Sequence, residues 1–429
     1  GGLAAPPPPG AAAKPPTIVV TGLGVVSGCG NDVATFWESL VQGKSGMGPV
    51  SKFDADKFTC RIASEVRGFE PKDHYNLKKT ARTMDSYTHF GLAAAREAIA
   101  DAGLNMSAVD ATRVGVMVGS AFGGMATYER ETIKLSKGTQ KDVGVYTIPA
   151  LLGNTVSGVI GIETGARGPT YGLVSACASA THALGESLRM LRRGEADVMI
   201  AGGSEAAITP LSFAGFGNLR ALCTTSNDDP TRASRPFDAD RSGFVMAEGA
   251  GVVVLETLEH AVRRGAVARA ELAGYGAAGD AYHITSPDPE GTATIRATEY
   301  ALADAGVVDY TEVGYVNAHG TSTPLNDKTE TAAIRKTFGE HANALAVSST
   351  KGCTGHALGA AGGLEAVAVV KAMETLTLPP TINYETPDPE CDLDVVPNTA
   401  RSVEKLQVAM SNSNGFGGHL SSLCFRAVQ

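Results

Sequence analysis

The sequence predicts a layered α/β protein assembled from two related halves, and three observations carry that prediction. Short apolar runs of strand type alternate with helical patterns and short loops along the chain, the pattern of a sheet buried between helices. One helix–glycine–strand string occurs twice: Ile99-Ala100-Asp101-Ala102-Gly103-Leu104 leads into Val114 to Gly119, and Leu302-Ala303-Asp304-Ala305-Gly306-Val307 leads into Val313 to Gly320. A second string also repeats. Val174-Ser175-Ala176-Cys177 followed by His182-Ala183-Leu184-Gly185 is matched by Ser348-Ser349-Thr350-Lys351 followed by His356-Ala357-Leu358-Gly359.

Taken in order, residues 1–16 hold Ala, Gly and Pro with only Leu3 and Lys14 besides. So little side chain cannot offset the entropy of ordering, so a flexible lead-in is expected and ordered structure begins at Thr17. The lead-in reads as the remnant of an organellar transit peptide or as a linker. Thr21-Gly22-Leu23-Gly24-Val25-Val26-Ser27 lacks the third glycine of a dinucleotide loop, which leaves a first core strand exiting through a glycine-rich turn. In the first repeat each glycine supplies a left-handed helix stop ahead of a strand. In the second repeat an apolar run turns into a small-residue-rich helix, Glu186 to Arg192 in one copy and Ala360 to Glu374 in the other. The halves divide as 17–267 and 268–429. Equivalent helix starts then meet around a pseudo-twofold axis, one offering Cys177 and the other the Lys351–His356 segment.

Composition removes several function classes. The 429 residues are 43% hydrophobic, enough for a large core. A net charge of −9 argues against nucleic-acid binding. No apolar run reaches the roughly 18 residues of a membrane span. Seven cysteines, an odd number without a C-x-x-C pair, argue against a disulfide framework or a zinc site and for a reducing compartment.

The chemistry concentrates in four strings. Cys177 stands where a strand-like run becomes a helix, and helix-start N–H groups favour a thiolate there, a candidate nucleophile for acyl chemistry. Asn317-Ala318-His319-Gly320-Thr321-Ser322-Thr323-Pro324 sets a histidine at a strand end, with hydroxyls after it. Lys351-Gly352-Cys353-Thr354-Gly355-His356 sets a second histidine at a helix start. Asn412-Ser413-Asn414-Gly415-Phe416-Gly417-Gly418 is a glycine-rich turn whose free N–H groups suit half an oxyanion hole.

Together these strings closely resemble the elongating β-ketoacyl-[acyl-carrier-protein] synthases of the thiolase superfamily, from about Thr17 to Val428. The resemblance implies a thiolase-like fold, two pseudo-duplicated halves in α-β-α-β-α layers. It also implies decarboxylative condensation of malonyl-carrier protein with an acyl chain held on Cys177, in fatty acid elongation. The backbone N–H groups of Cys177 and Phe416 would hold the thioester oxyanion. Neutral His319 and His356 would donate to the enolate, and Lys351 would pair with Glu330 or Asp327 to fix the histidine segment. Thr321 and Thr323 match hydroxyls that contact phosphopantetheine, or serve as loop caps. Phe122 falls at the wall of the acyl pocket, as a stop, a gate or a plain core ring. Asn317, Glu365, Ser411 and Asn412 match positions around a structural cation in some relatives, with ordinary buried hydrogen bonding as the alternative. No cofactor resides on the enzyme, since phosphopantetheine arrives on the carrier, and no catalytic metal is required.

Competing readings are a thiolase acting on coenzyme A thioesters, which usually brings a second cysteine that the Gly415–His419 loop lacks, and a polyketide ketosynthase, which usually has flanking domains. The partners implied are acyl carrier protein and a second copy of the chain. Because the chain is itself negative, the carrier must meet a local basic patch, for which Lys79, Arg82, Arg130, Lys134 and Arg220 are the candidates. The lead-in points to the plastid stroma, with a bacterial cytoplasm or a mitochondrion as alternatives.

Overall fold

The computed structural model describes residues 15–428, so residues 1–14 of the expected lead-in lie outside the described residues. Ten strands form one sheet: β1 (Ile18–Ser27), β2 (Val114–Gly119), β3 (Thr170–Leu173), β4 (Val198–Glu205), β5 (Gly249–Thr257), β6 (Ala270–Gly279), β7 (Val313–Asn317), β8 (Ala346–Ser348), β9 (Val408–Gly415) and β10 (His419–Arg426). Their order across the sheet is β8-β7-β9-β10-β6-β1-β5-β4-β2-β3. At the centre β1 and β6 join through two residue pairs, Val19 with Glu271 and Val20 with Ala270. Outward from that seam, β1-β5-β4-β2-β3 and β6-β10-β9-β7-β8 repeat one scheme, two antiparallel steps and then two parallel ones.

Helices complete the layers. On the first set of strands lie α1 (Ser86–Asp101) and α3 (Thr155–Thr164); on the second lies α6 (Thr292–Asp304), with α7 (Pro324–Phe338) packed beside it. Between the sets, α4 (Ser179–Arg192) and α9 (Ala361–Thr375) touch strands of both halves and each other. The remaining helices used below are α2 (Met125–Lys137), α5 (Pro210–Asn218) and the short α8 (Lys351–Thr354). The strand β5 shows why its sequence is continuously apolar: Val252 and Val254 pack in the cluster that holds α1, while Val253 and Leu255 face the cluster that holds α4 and α9.

Gly103 and Gly306 take φ of 58° and 70° after α1 and α6, the left-handed stops that the first repeat predicts. The glycine-rich turn expected after the first strand is not a turn. Gly22 and Gly24 lie inside β1, and a Cβ on them would sit 2.0 Å from Ala98 O and 1.8 Å from Ala94 O. Their role is to let the backbone of α1 lie directly on the strand. All seven cysteines are free and buried. Among the described residues no helix is long and apolar enough to cross a membrane.

Candidate active site

The second repeat delivers its two helix starts to one place. Past β3 the chain turns through Ala176, whose φ of 50° is left-handed for a residue with a Cβ. Ser179 braces this turn, its Oγ accepting from Ser175 N at 2.9 Å and donating to Ala176 O at 2.7 Å. Cys177 then stands one residue ahead of Ala178, the cap of α4. From the other half, His356 follows α8 and brings Nε2 to 3.1 Å from Cys177 Sγ. His319, just past the end of β7, packs edge-on against His356 with ring centres 5.2 Å apart. All three side chains are buried.

Backbone contacts hold this arrangement. Glu330 on α7 accepts from His319 N at 2.7 Å and from Gly320 N at 2.8 Å. Asp327 accepts from Phe237 N at 2.9 Å and Ser322 N at 3.1 Å. Lys351 donates to His319 O at 2.7 Å and forms an ion pair with Glu365 on α9. The expected pairing of Lys351 with Glu330 or Asp327 is therefore corrected to Glu365. Both oxygens of Glu330 are already engaged by neighbouring N–H groups, whereas Glu365 reaches the Lys351 ammonium from the middle helix layer.

Burial sets the protonation states. His319 and His356 are held well below the usual histidine range by desolvation first and the Lys351 charge second, so both are neutral imidazoles near pH 7. Cys177 is pushed up to about 12 by burial, against which Lys351 and the backbone N–H groups of Phe416 and Cys177 act. The resting thiolate expected from the helix start alone is thus corrected to a thiol. Removing the sulfur from water outweighs the oriented N–H groups, and Nε2 of His356 lies within reach of its proton.

Residues 16–261 match the family described as beta-ketoacyl synthase, N-terminal domain, and residues 269–385 match its C-terminal domain. The chain belongs to the beta-ketoacyl synthases. It is 48% identical over 413 residues to a 3-oxoacyl-[acyl-carrier-protein] synthase 2 from Synechocystis, covering 96% of this chain and 98% of the relative. A protein of the same description from Staphylococcus aureus is 47% identical over 412 residues, covering 96% and 98%. Among solved structures, a ketosynthase structure described as a type II polyketide acyl-carrier protein in complex with its ketosynthase superposes with a TM-score of 0.90 at 36% identity, covering 97% of this chain and all of that one. A beta-ketoacyl synthase from Burkholderia phymatum also gives 0.90, at 33% identity over 96% of this chain. Membership in this family replaces the thiolase alternative, and the synthase is a carbon–carbon bond-forming acyltransferase.

A cavity of about 620 Å³ opens onto the synthase's cysteine and both histidines. Thr321, Thr323, Phe122, Phe416 and Arg220 line it, as do Phe216, Phe244 and the 280–287 loop, which no motif in the sequence marks. Phe416 sits in the turn between β9 and β10, where its N–H faces the Cys177 sulfur. Thr323 caps α7, accepting from Asn326 N, and also meets Thr321 Oγ1 at 2.9 Å, so capping and cavity lining fall on one hydroxyl.

The possible cation site divides. Asn317 Oδ1, Glu365 Oε2 and Ser411 Oγ are buried without a hydrogen-bond partner among the described residues, and Asn317 is the register partner of Ser411 in the β7–β9 pair. Such unpaired oxygens suit a hard cation. Asn412 points to the other face of its strand, where its Oδ1 accepts from Ser422 Oγ at 2.8 Å, which removes its side chain from the set.

Of the basic candidates, Arg220 alone lines the cavity. Lys79 and Arg82 are exposed on the short 3-10 helix Lys78–Thr83. Arg130 and Lys134 each meet Glu131 at 2.8 Å rather than the cavity mouth, and Glu131 in turn accepts from Gly144 N. The helix α2 nevertheless links these groups. Asp85, the cap of α1, accepts from Thr127 at 2.8 and 2.7 Å, and Glu129 accepts from Leu211 N on α5, the helix that precedes Arg220.

Proposed function

We propose that this synthase elongates fatty acyl chains on acyl carrier protein, with Cys177 as the nucleophile. The observation that carries the reading is the contact of Cys177 Sγ with His356 Nε2 at 3.1 Å beneath the Phe416 N–H. Sγ attacks the carbonyl carbon of an acyl-carrier thioester as His356 takes the thiol proton. The oxyanion rests on the N–H groups of Cys177 and Phe416, and the carrier thiolate leaves, recovering that proton. Malonyl-carrier protein then enters. Its carboxylate departs as carbon dioxide, and N–H groups of neutral His319 and His356 stabilise the enolate oxygen left behind. The enolate carbon attacks the acyl-enzyme carbonyl, Cys177 leaves as a thiolate that takes a proton from solvent to restore the resting thiol, and a 3-oxoacyl-carrier protein two carbons longer is released. Phosphopantetheine arrives on the carrier, threading past Thr321 and Thr323, and no cofactor on the enzyme takes part. Mass spectrometry after incubation with acyl-carrier protein tests the assignment: one adduct, on Cys177, is expected, and an adduct on any other cysteine overturns it.

Phe122 is read as the wall of the acyl channel, and Lys79, Arg82 and Arg220 as the carrier's landing surface, with Arg130 and Lys134 behind them. A homodimer is supported by the edge strand β3, unpaired on one side among the described residues, where Tyr171 is 53% exposed and the cavity-lining Val174 just past its end is 66% exposed. A second copy would cover both. Sedimentation at micromolar concentration with only a 44.0 kDa species would count against it. The plastid stroma remains a proposal resting on the composition of the lead-in, set against bacterial relatives. Fractionation of the source cells, with the protein found outside plastids, would reject it.

A further inference from the structure

Glu205, the last residue of β4, is a fully buried carboxylate that the condensation steps above do not use. Its Oε1 accepts from Ser120 Oγ at 3.0 Å and Phe122 N at 3.3 Å. Its Oε2 accepts from Ala121 N at 2.7 Å and Gly359 N at 3.1 Å. Among the described residues it has no cationic partner, so neutral donors alone satisfy it. Those donors come from two segments far apart in sequence. One is the turn after β2 that carries Phe122; the other is the turn at Leu358–Gly359 that joins His356 to α9.

These segments are neighbouring parts of the cavity wall, since both Phe122 and Leu358 line it. Their backbones meet at the carboxylate so closely that a Cβ on Gly359 would lie 2.3 Å from Ala121 N and 2.6 Å from Glu205 Oε2. Ser120 Oγ, while donating to Glu205, accepts from Gly123 N at 3.0 Å, which closes the turn around Phe122. Phe122 is 42% exposed and its ring meets the Phe216 ring edge-on at 6.1 Å, so side-chain packing covers it only in part and the backbone helps decide where it points. Phe216 continues the contact to Phe416 at 6.3 Å and to Phe244 at 5.3 Å, and Phe244 packs on His356.

We propose that Glu205 is a positioning residue for acyl-chain selection, its carboxylate pinning the Phe122 turn to the Leu358–Gly359 turn and so setting how deep an acyl chain can reach beyond Cys177. The inference rests on the reading of Phe122 as the channel wall. Glu205→Gln keeps the shape but replaces one acceptor oxygen with an NH₂ group. In the Oε2 position that group faces the N–H donors of Ala121 and Gly359; in the Oε1 position it faces the N–H of Phe122, while the Ser120 hydroxyl can turn to accept from it. Either choice of amide orientation releases part of the clamp, because each carboxylate oxygen serves the Phe122 turn.

The test measures kcat/KM for a ladder of acyl-carrier primers from short to long, together with KM for malonyl-carrier protein. Glu205→Gln is expected to raise the long-to-short ratio about tenfold, the size of one lost charge-assisted hydrogen bond, with malonyl-carrier KM unchanged. Glu205→Asp, which keeps the charge, should fall between it and the wild type. Ser120→Ala, which removes a single donor and keeps the experiment decisive if Glu205→Gln does not fold, should shift the ratio the same way by a smaller factor. A uniform loss across all primers, or an unchanged ratio in Ser120→Ala, overturns the positioning role. Phe122→Ala run in parallel separates the two readings: if it leaves the ratio flat, the wall assignment fails and the inference falls with it. If it shifts the ratio while the Glu205 variants do not, the inference alone is overturned.

Discussion

Replacing Lys351 by methionine isolates the buried charge between Glu365 and His319. The two chains are similar in length, so no large cavity forms, while the ammonium that meets Glu365 and His319 O is lost. Side-chain exposure is 1% for Lys351 and 2% for Glu365, so water cannot replace the missing partner. One Glu365 oxygen already lacks a hydrogen-bond partner, and the substitution orphans the other. Breaking a buried pair from one side in this way costs about 3–5 kcal/mol. With an unfolding entropy of about 2.1 cal/mol/K per residue, the 429-residue chain loses about 3–6 °C in Tm. The loss has a pH signature. Burial already raises the Glu365 carboxyl and Lys351 opposes that rise, so without Lys351 the acid stays protonated to higher pH and the penalty grows as pH rises. Lys351→Met/Glu365→Gln removes both charges and should recover at least about 2 kcal/mol of the deficit. Chemical denaturation of the four proteins at one protein concentration, at pH 5.5 and pH 8, supplies the cycle. Additive single effects, or a Lys351→Met protein as stable as the wild type at both pH values, would refute the buried-pair argument.

Three further outcomes are expected. His319→Ala and His356→Ala should each lower malonyl-carrier decarboxylation about 10²–10³-fold, with the His319 variant still acylating Cys177; loss of acylation with normal decarboxylation in that variant would reverse its role. Both histidines stay neutral when folded but titrate near 6.5 when unfolded, so the unfolded chain binds more protons below that value and stability falls as pH drops from about 6.5. Each contributes up to about 1.4 kcal/mol per pH unit, and His319→Asn should show a shallower decline than the wild type in the same denaturation series. Reversing Lys79, Arg82 and Arg220 to Glu should weaken turnover with carrier protein and flatten its salt dependence while short pantetheine thioesters remain substrates; equal loss on both would assign the patch to the fold.

Much of the site was legible because it is written in local strings. A cysteine between a strand-like run and a small-residue helix, a histidine ending a strand and a glycine-rich turn each state a backbone geometry within a few residues. Phe216 and Phe244 had no such signature, since an aromatic residue facing a cavity reads the same as one facing the core. Glu205 carried a faint one: a carboxylate closing the buried run Val198–Glu205 needs donors from somewhere.

By itself the sequence determined the repeated helix and strand order, the left-handed stops at Gly103 and Gly306, and the set Cys177, His319, Lys351 and His356. Those follow from spacing and side-chain chemistry along the chain. Only the tertiary structure decided that Lys351 pairs with Glu365, that Cys177 rests as a thiol, that Gly22 and Gly24 serve helix packing inside a strand, and that Arg130 and Lys134 turn to Glu131. Each of these depends on which groups from distant segments share a volume closed to water. In such a volume desolvation and the nearest free partner outweigh any preference encoded locally.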